Sequence, residues 1–187
     1  MARVASESVA NFDFPQLYNF PPMFTLQPVA HTRMKQLESW RTIIMSWSKH
    51  TKTYVLSVSN CPIFENKKII RKVGLQDRIV ILDYLVEKGN AEWTDSSEKS
   101  MCLVMWNSLD EWAKLVYKWA QSCSHIGNVF TLYDLTQGDE TTGEEFHGVD
   151  PKVFYRIIAT LQSQRLVHVF ASSNLEETGV KFLPAAH

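Results

Sequence analysis

The stretch "DPKVFYRIIATLQSQRLVHVF", residues 150–170, joins an amphipathic helix to a strand and decides the fold. Asp150 is a favoured N-cap residue, and Pro151 suits the first helical position. Apolar residues then recur on one helical face: Val153, Phe154, Ile157, Ile158 and Leu161. The β-branched segment "RLVHVF" is typical of a strand. The pattern therefore predicts a helix over 150–164 followed by a short strand.

The residues around this stretch complete a domain. A second strand, "GVKFL" (179–183), follows the polar turn "SSNLEET". Upstream, Ser108 and Glu111 form a capping box that opens a helix with tryptophans on one face. Between the two helices, "VFTLYDL" (129–135) predicts a short strand and a short helix. Helix, short helix, helix and two strands are the winged-helix plan.

The first half of the chain repeats this order. One helix begins near Thr32, and a second begins at Leu75 and ends before Gly89, with strands "AEW" and "MCLVMW" after it. The predicted helix starts are 43 residues apart here and 42 apart in the second half. We therefore predict a mainly α protein with small β wings (α+β): two tandem winged-helix domains, 30–106 and 107–187, preceded by an extended proline-aromatic arm, 1–29.

The arm carries two similar clusters, "FPQLY" (14–18) and "FPPMF" (20–24). Proline fixes φ and removes a backbone donor, and it pushes the preceding residue towards an extended conformation. An arm of this composition either packs on its own domain or fits a groove on a partner, and its residues leave both readings open.

The charge distribution argues against a nucleic-acid binder, the alternative suggested by the fold. The net charge is −1, with a net of +3 in residues 1–106 and −4 in 107–187. The predicted third helices, 75–88 and 150–164, lack the basic stripe that a groove-reading helix needs. We expect no nucleic-acid partner.

No motif predicts catalysis or a cofactor. Nucleophile elbow, phosphate loop and metal-ligand spacing are missing, and the six histidines form no recognisable pair, although a Cys–His pair stays open. The three cysteines, Cys61, Cys102 and Cys123, include no C-x-x-C, which favours a reducing compartment. The first ten residues show no apolar region of a secretory signal. We expect an intracellular protein that is not an enzyme and binds no cofactor or metal.

A basic cluster, Lys67, Lys68, Arg71 and Lys72, lies at the spacing of one side of a short helix. It is either a solvated face or an ionic contact for an acidic partner. Arginine forms the better bidentate pair with a carboxylate, so Arg71 is the member of interest.

Eight segments, in order, resemble the vacuolar protein sorting-associated protein 25 family, the small subunits of the ESCRT-II endosomal sorting complex. They are "YNFPPMFTLQP" (18–28), "TRMKQLESW" (32–40), "PIFENKKIIRKV" (62–73), "KGNAEW" (88–93), "WNSLDEWAKLVYKW" (106–119), "VFTLYDLTQGDET" (129–141), "EEFHGVD" (144–150) and "GVKF" (179–182).

The resemblance implies two winged-helix domains in tandem, in a protein that is not an enzyme. It implies that two copies of this chain join one copy of each of two larger winged-helix subunits, with the proline-aromatic arm docked into hydrophobic grooves on those subunits. It also implies recruitment of the ESCRT-III subunit that initiates filament assembly, for sorting ubiquitinated cargo into multivesicular bodies. The chain would then be cytoplasmic and peripherally associated with endosomal membranes as part of the complex.

The family's binding residues carry over to specific positions. The groove-binding motif matches Phe20, Pro21, Pro22 and Phe24. Its upstream version, with one proline, matches Phe14, Pro15 and Tyr18. Arg71 matches an arginine that pairs with an acidic group on a larger subunit. The ESCRT-III contact falls on the second domain, around Phe130, Thr131 and Lys181.

Overall fold

The computed structural model describes residues 12–185. It divides into two compact units, Met1–Trp106 and Asn107–His187. The described residues form five α-helices and three small antiparallel sheets, an α+β structure as predicted. None of these helices is both long enough and apolar enough to cross a bilayer.

Within residues 12–106, the first unit holds two α-helices and five short strands. These are α1 (Ala30–Thr51), α2 (Leu75–Glu87), β1 (Val55–Ser57), β2 (Glu65–Asn66), β3 (Arg71–Lys72), β4 (Ala91–Trp93) and β5 (Met101–Val104). Strand β5 lies between β1 and β4, and Cys102 pairs with Leu56 on one side and Trp93 on the other. Helix α2 ends as predicted, with Gly89 at φ +73°, a conformation that glycine adopts without steric cost.

The second unit, described over residues 107–185, also has a three-stranded antiparallel sheet, and it holds three α-helices. Its α-helices and strands are α3 (Leu109–Ser122), β6 (Val129–Thr131), α4 (Leu132–Gln137), α5 (Pro151–Ser163), β7 (Val167–Phe170) and β8 (Gly179–Phe182). The last strand, β8, lies in the middle, between β6 and β7. The predicted capping box of Ser108 and Glu111 is present, and the Asp150 carboxylate accepts a hydrogen bond from the Lys152 amide at 2.9 Å.

The second unit follows the predicted winged-helix plan, and in the first unit a 3-10 turn, Pro62–Phe64, stands between the two long helices in place of a short α-helix. The aromatic stripes of the helices form the cores of both units. Trp40 in the first unit, and Trp112 and Phe154 in the second, are among the largest fully buried side chains.

The short helix predicted around the basic cluster is wrong, because residues 65–72 form a β-hairpin. Strand β2 pairs with β3, and residues 67–70 form the loop between them. The Asn66 side chain explains this, since its Oδ1 accepts a hydrogen bond from the Lys68 amide at 3.0 Å. Such a local bond offers the backbone an alternative to helical pairing.

Candidate docking surfaces

The inner side of the arm packs into the core of the first unit. Tyr18, Met23 and Phe24 are buried, and the Phe24 ring is only 3% exposed. The Phe24 ring centroid lies 5.4 Å from that of Tyr18 and 5.5 Å from the Trp40 ring, both edge-on, which aromatic pairs favour. Residues 14–25 of the arm therefore form a strap on their own domain, one of the two readings that the sequence left open, and residues 1–11 of the predicted arm lie outside the described part of the chain.

Buried hydrogen bonds fix the backbone of the strap. The Gln36 Nε2 lies within 3.1 Å of the carbonyl oxygens of Pro22, Met23 and Thr25. The Trp40 Nε1 also donates to the Met23 carbonyl at 3.0 Å. Buried carbonyls are costly when unpaired, so these bonds hold the second cluster in one conformation.

Tyr18 anchors the first cluster. Its hydroxyl donates to the Ile63 carbonyl at 2.8 Å, and its own carbonyl accepts from the Asn66 Nδ2 at 2.8 Å. Burial raises the pKa of Tyr18 well above its usual range, so this hydroxyl keeps its proton as a donor. Phe14 stacks on the Tyr18 ring with 3.9 Å between centroids, while Pro15 stays exposed.

The outer side of the strap is apolar and open to solvent. The backbone is extended at Pro15, Phe20 and Thr25, and two single 3-10 turns, Gln16–Asn19 and Pro21–Phe24, lie between these positions. The turns were not predicted from the sequence, and their effect is to aim neighbouring side chains in opposite directions. Phe20 is 54% exposed, and Pro21 and Pro22 are exposed beside it.

Arg71 lies next to these prolines. A depression of about 460 Å³ is lined by Pro21, Pro22, Phe24, Thr25, Ile70, Arg71 and Lys72. Arg71 is exposed and forms no ion pair with any of residues 12–185. The structure therefore brings together three of the sequence-predicted residues, Pro21, Pro22 and Arg71, with their side chains accessible. Phe20 lines a separate depression beside α1, together with Leu17 and Pro22.

The three residues predicted for the second unit do not share one face. Phe130 points into the core, with ring centroids 5.7 Å from Trp119 and 6.1 Å from Phe182. Thr131 caps α4, and its hydroxyl accepts from the Asp134 amide at 3.0 Å. Lys181 lies on the outer face of the sheet, where it pairs with Val129 and His168 on the neighbouring strands.

This outer face also carries apolar residues that sequence reasoning did not select. Val129 and Phe170 are both about half exposed, and they flank Gly179. A Cβ at Gly179 would lie 3.3 Å from the Phe170 Cβ and 3.7 Å from the Val129 Cγ1, so the glycine lets the two side chains approach each other. Successive side chains of a strand point to opposite faces of the sheet, so the sequence of strands β6 and β7 could have indicated that these residues point away from the core.

Possible catalytic or metal-binding groups are scattered in the described part of the chain. Residues 12–185 contain no group of three or more His, Cys, Asp or Glu placed to hold a metal ion. Burial raises the pKa of the Cys61 thiol to about 11, which keeps it protonated and weakly nucleophilic. The candidate sites are therefore two exposed apolar surfaces: the outer side of the strap and the outer face of the β6–β8–β7 sheet.

Comparison with known proteins identifies the family of the chain. Residues 17–150 match the family model of ESCRT-II complex subunits. The chain is 42% identical over 174 residues to vacuolar protein-sorting-associated protein 25 of Xenopus laevis, covering 91% of this chain and 98% of that protein. The Homo sapiens protein of the same name is 39% identical over 175 residues, with 92% and 98% covered.

Solved structures give the same result. The fold matches the crystal structure of subunit VPS25 of the endosomal trafficking complex ESCRT-II with a TM-score of 0.80 at 26% identity, covering 91% of this chain and 98% of that one. A chain in the structure of the whole ESCRT-II complex matches with a TM-score of 0.79 at 28% identity, covering 90% and 99%.

These matches define a subunit of an endosomal trafficking complex. The chain belongs to the ESCRT-II subunit family, in its vacuolar protein-sorting-associated protein 25 branch.

Proposed function

We propose that this chain is a non-enzymatic subunit of ESCRT-II that docks on the two larger subunits through the outer side of its strap and the neighbouring hairpin. A similar solved complex is described as containing VPS22 and VPS36 beside VPS25, which supports partners of this kind. Following the family resemblance, each complex takes two copies of this chain.

The observation that carries the proposal is the exposure of Phe20 on a strap whose inner side is buried. A large aromatic side chain held at 54% exposure on a fixed backbone is typical of an interface anchor. Burial of its remaining surface would contribute roughly 1 kcal/mol or more, and Pro21 and Pro22 reduce the entropy lost on docking. Arg71 adds a charge contact that orients the partner.

The buried residues of the arm have a supporting role in this proposal. Tyr18, Phe24 and the half-buried Phe14 fix the strap, so that Phe20 and the two prolines keep one orientation. The contribution of Phe24 to docking is then indirect, although its edge lines the depression that holds Arg71.

We propose a second contact, with ESCRT-III, on the outer face of the sheet in the second unit. Val129, Phe170 and Lys181 form its exposed part, and Thr131 lies on the same face. Phe130 supports this sheet from the core side. The net charge of −4 over residues 107–187 favours a basic partner segment around the apolar centre.

With these two contacts, the chain is an adaptor that links the assembled ESCRT-II complex to ESCRT-III. In the pathway implied by the family resemblance, the chain works on the cytoplasmic side of endosomes. It reaches the membrane through the complex and serves the sorting of ubiquitinated cargo into multivesicular bodies.

A reciprocal pair of variants tests the proposal. Phe20→Ala and Phe170→Ala remove equivalent exposed rings from the two surfaces. Phe20→Ala should weaken binding to the larger ESCRT-II subunits by about tenfold and leave binding to the ESCRT-III subunit unchanged. Phe170→Ala should do the reverse. Titration calorimetry of both variants with both partners measures this, and equal behaviour of the two variants would contradict the proposal.

A further inference from the structure

The hairpin loop of the first unit ends on a residue that does not suit its backbone. Ile70, the last of the four loop residues, has φ +55°. Glycine and asparagine adopt this left-handed conformation readily, whereas a β-branched side chain there is a genuine outlier. The hairpin therefore contains local strain that a more common loop residue would avoid.

The strain is not compensated by packing in the first unit. Ile69 is partly buried against the core, but Ile70 is 86% exposed. Among the large apolar side chains of residues 12–185, Ile70 has the highest exposed fraction, and Val29 follows at 62%. An apolar side chain that is both strained and exposed does not stabilise the isolated chain.

The position of Ile70 links it to the proposed docking surface. It lines the same depression as Pro21, Pro22 and Arg71. Lys67, Lys68 and Lys72, all exposed, lie on the same short hairpin. The hairpin thus presents one apolar side chain surrounded by positive charge, beside the prolines of the strap.

We infer that Ile70 is an anchor residue that inserts into an apolar hollow, rimmed by carboxylates, on one of the larger ESCRT-II subunits. The inference rests on the proposed function and extends the docking surface from the strap to the hairpin tip. The basic residues around Ile70 require the acidic rim, and the left-handed backbone holds the side chain away from its own core. Ile70 stabilises the complex at the expense of the free chain.

This role predicts an unusual combination of effects for Ile70→Gly. Glycine relieves the strain, so the melting temperature of the isolated chain should stay the same or rise. Affinity for the larger subunits should fall by about tenfold, because the anchor is lost. Ile70→Asn, which also tolerates the left-handed backbone, should behave in the same way. Ile70→Val keeps the apolar contact and should retain most of the affinity.

The measurement pairs thermal unfolding of the full chain with calorimetric titration of the larger subunits. Val80→Ala, another exposed apolar residue of the first unit, is the control and should change neither quantity. Full affinity in Ile70→Gly would overturn the inference. So would a lowered melting temperature with a parallel loss of affinity, which indicates a structural role.

Two further outcomes separate this inference from the proposed function. If Phe20→Ala and Arg71→Glu weaken binding but Ile70→Gly does not, only the inference is wrong. If the unmodified chain does not bind the larger subunits, both are wrong. Self-association of the chain alone that Ile70→Gly abolishes would assign the hairpin tip to a second copy and overturn the inference.

Discussion

Phe20 and Phe24 lie four residues apart in the strap, yet their rings have opposite environments. The intervening turn, Pro21–Phe24, buries the Phe24 ring against Trp40 and leaves more than half of the Phe20 ring in solvent. The sequence alone made both rings candidates for docking. The long-range contacts of the fold show the difference: Phe24 holds the strap, whereas Phe20 is accessible to a partner.

This contrast predicts different stabilities for two alanine variants. Phe24→Ala creates a cavity in the core and should lower the free energy of unfolding by about 3–5 kcal/mol. That corresponds to a fall in melting temperature of roughly 10 °C or more for a domain of this size. Phe20→Ala, the matched control, should stay within about 0.5 kcal/mol of the unmodified chain. Circular dichroism melts decide this, and similar melting temperatures for the two variants would contradict the buried strap.

The three cysteines are predicted to differ in reactivity. Cys123 is exposed, whereas Cys61 and Cys102 are buried, and burial raises the pKa of their thiols to about 11 and about 12. An aromatic disulfide reagent at neutral pH should therefore modify Cys123 quickly and the other two only after unfolding. Cys123→Ser should abolish the fast phase. Rapid modification of two or three thiols in the folded chain would show that the reagent reaches the core around Cys61 and Cys102.

The raised pKa of the buried thiols predicts that the free energy of unfolding falls at alkaline pH. A thiol in the unfolded chain has a pKa of about 8.5, so the unfolded chain loses its thiol protons first as pH rises. Cys61 should have no effect on the pH dependence below about pH 8, and should lower the free energy of unfolding as pH approaches about 11. Cys61→Ala should flatten this decline in urea unfolding, and an unchanged slope would argue against the assigned cause.

Among the secondary-structure elements, the sequence predicted those whose signals lie within a few neighbouring residues. The helices carry their apolar faces and caps within a few residues, as the capping box of Ser108 and Glu111 shows. The hairpin at 65–72 was missed because its strands are two residues long and a side-chain bond of Asn66 sets the turn. The burial of the strap was undecided because Tyr18 contacts the Ile63 carbonyl 45 residues away.

The strap is predicted to depend on one buried glutamine. Gln36→Met keeps the length of the side chain but removes the donors to the carbonyls of Pro22, Met23 and Thr25. Each of these carbonyls keeps another donor, from Gln27, Trp40 or the Thr25 amide, so loss of the Gln36 bonds should cost about 1 kcal/mol and loosen the strap. Hydrogen exchange of the Met23 amide, which is bonded to the Phe20 carbonyl, should become faster than in the unmodified chain.

Gln76→Met makes the same chemical change at an exposed position of α2 and should leave this exchange rate unchanged. Equal protection of the Met23 amide in all three chains would show that Gln36 does not hold the strap.

For the whole molecule, we propose that the two halves are separate domains, as the repeated helix spacing predicted: 107–187, and 30–106 together with the strap that packs into its core. The units meet in sequence between Trp106 and Asn107. A fragment of residues 107–187 should therefore unfold cooperatively on its own, because its core, with Trp112, Phe154 and Phe182, comes from its own residues. A fragment without a cooperative thermal transition would contradict the proposed boundary.

We propose that this chain joins ESCRT-II through the outer side of its strap and the adjacent arginine. Light scattering after size separation of the chain mixed with both larger subunits tests this proposal. We expect a complex whose mass includes two copies of this chain, and no such complex with the Phe20→Ala, Arg71→Glu double variant, which should remain folded. A mixture in which the unmodified chain stays free, or in which the double variant assembles equally well, would contradict the proposed docking surface.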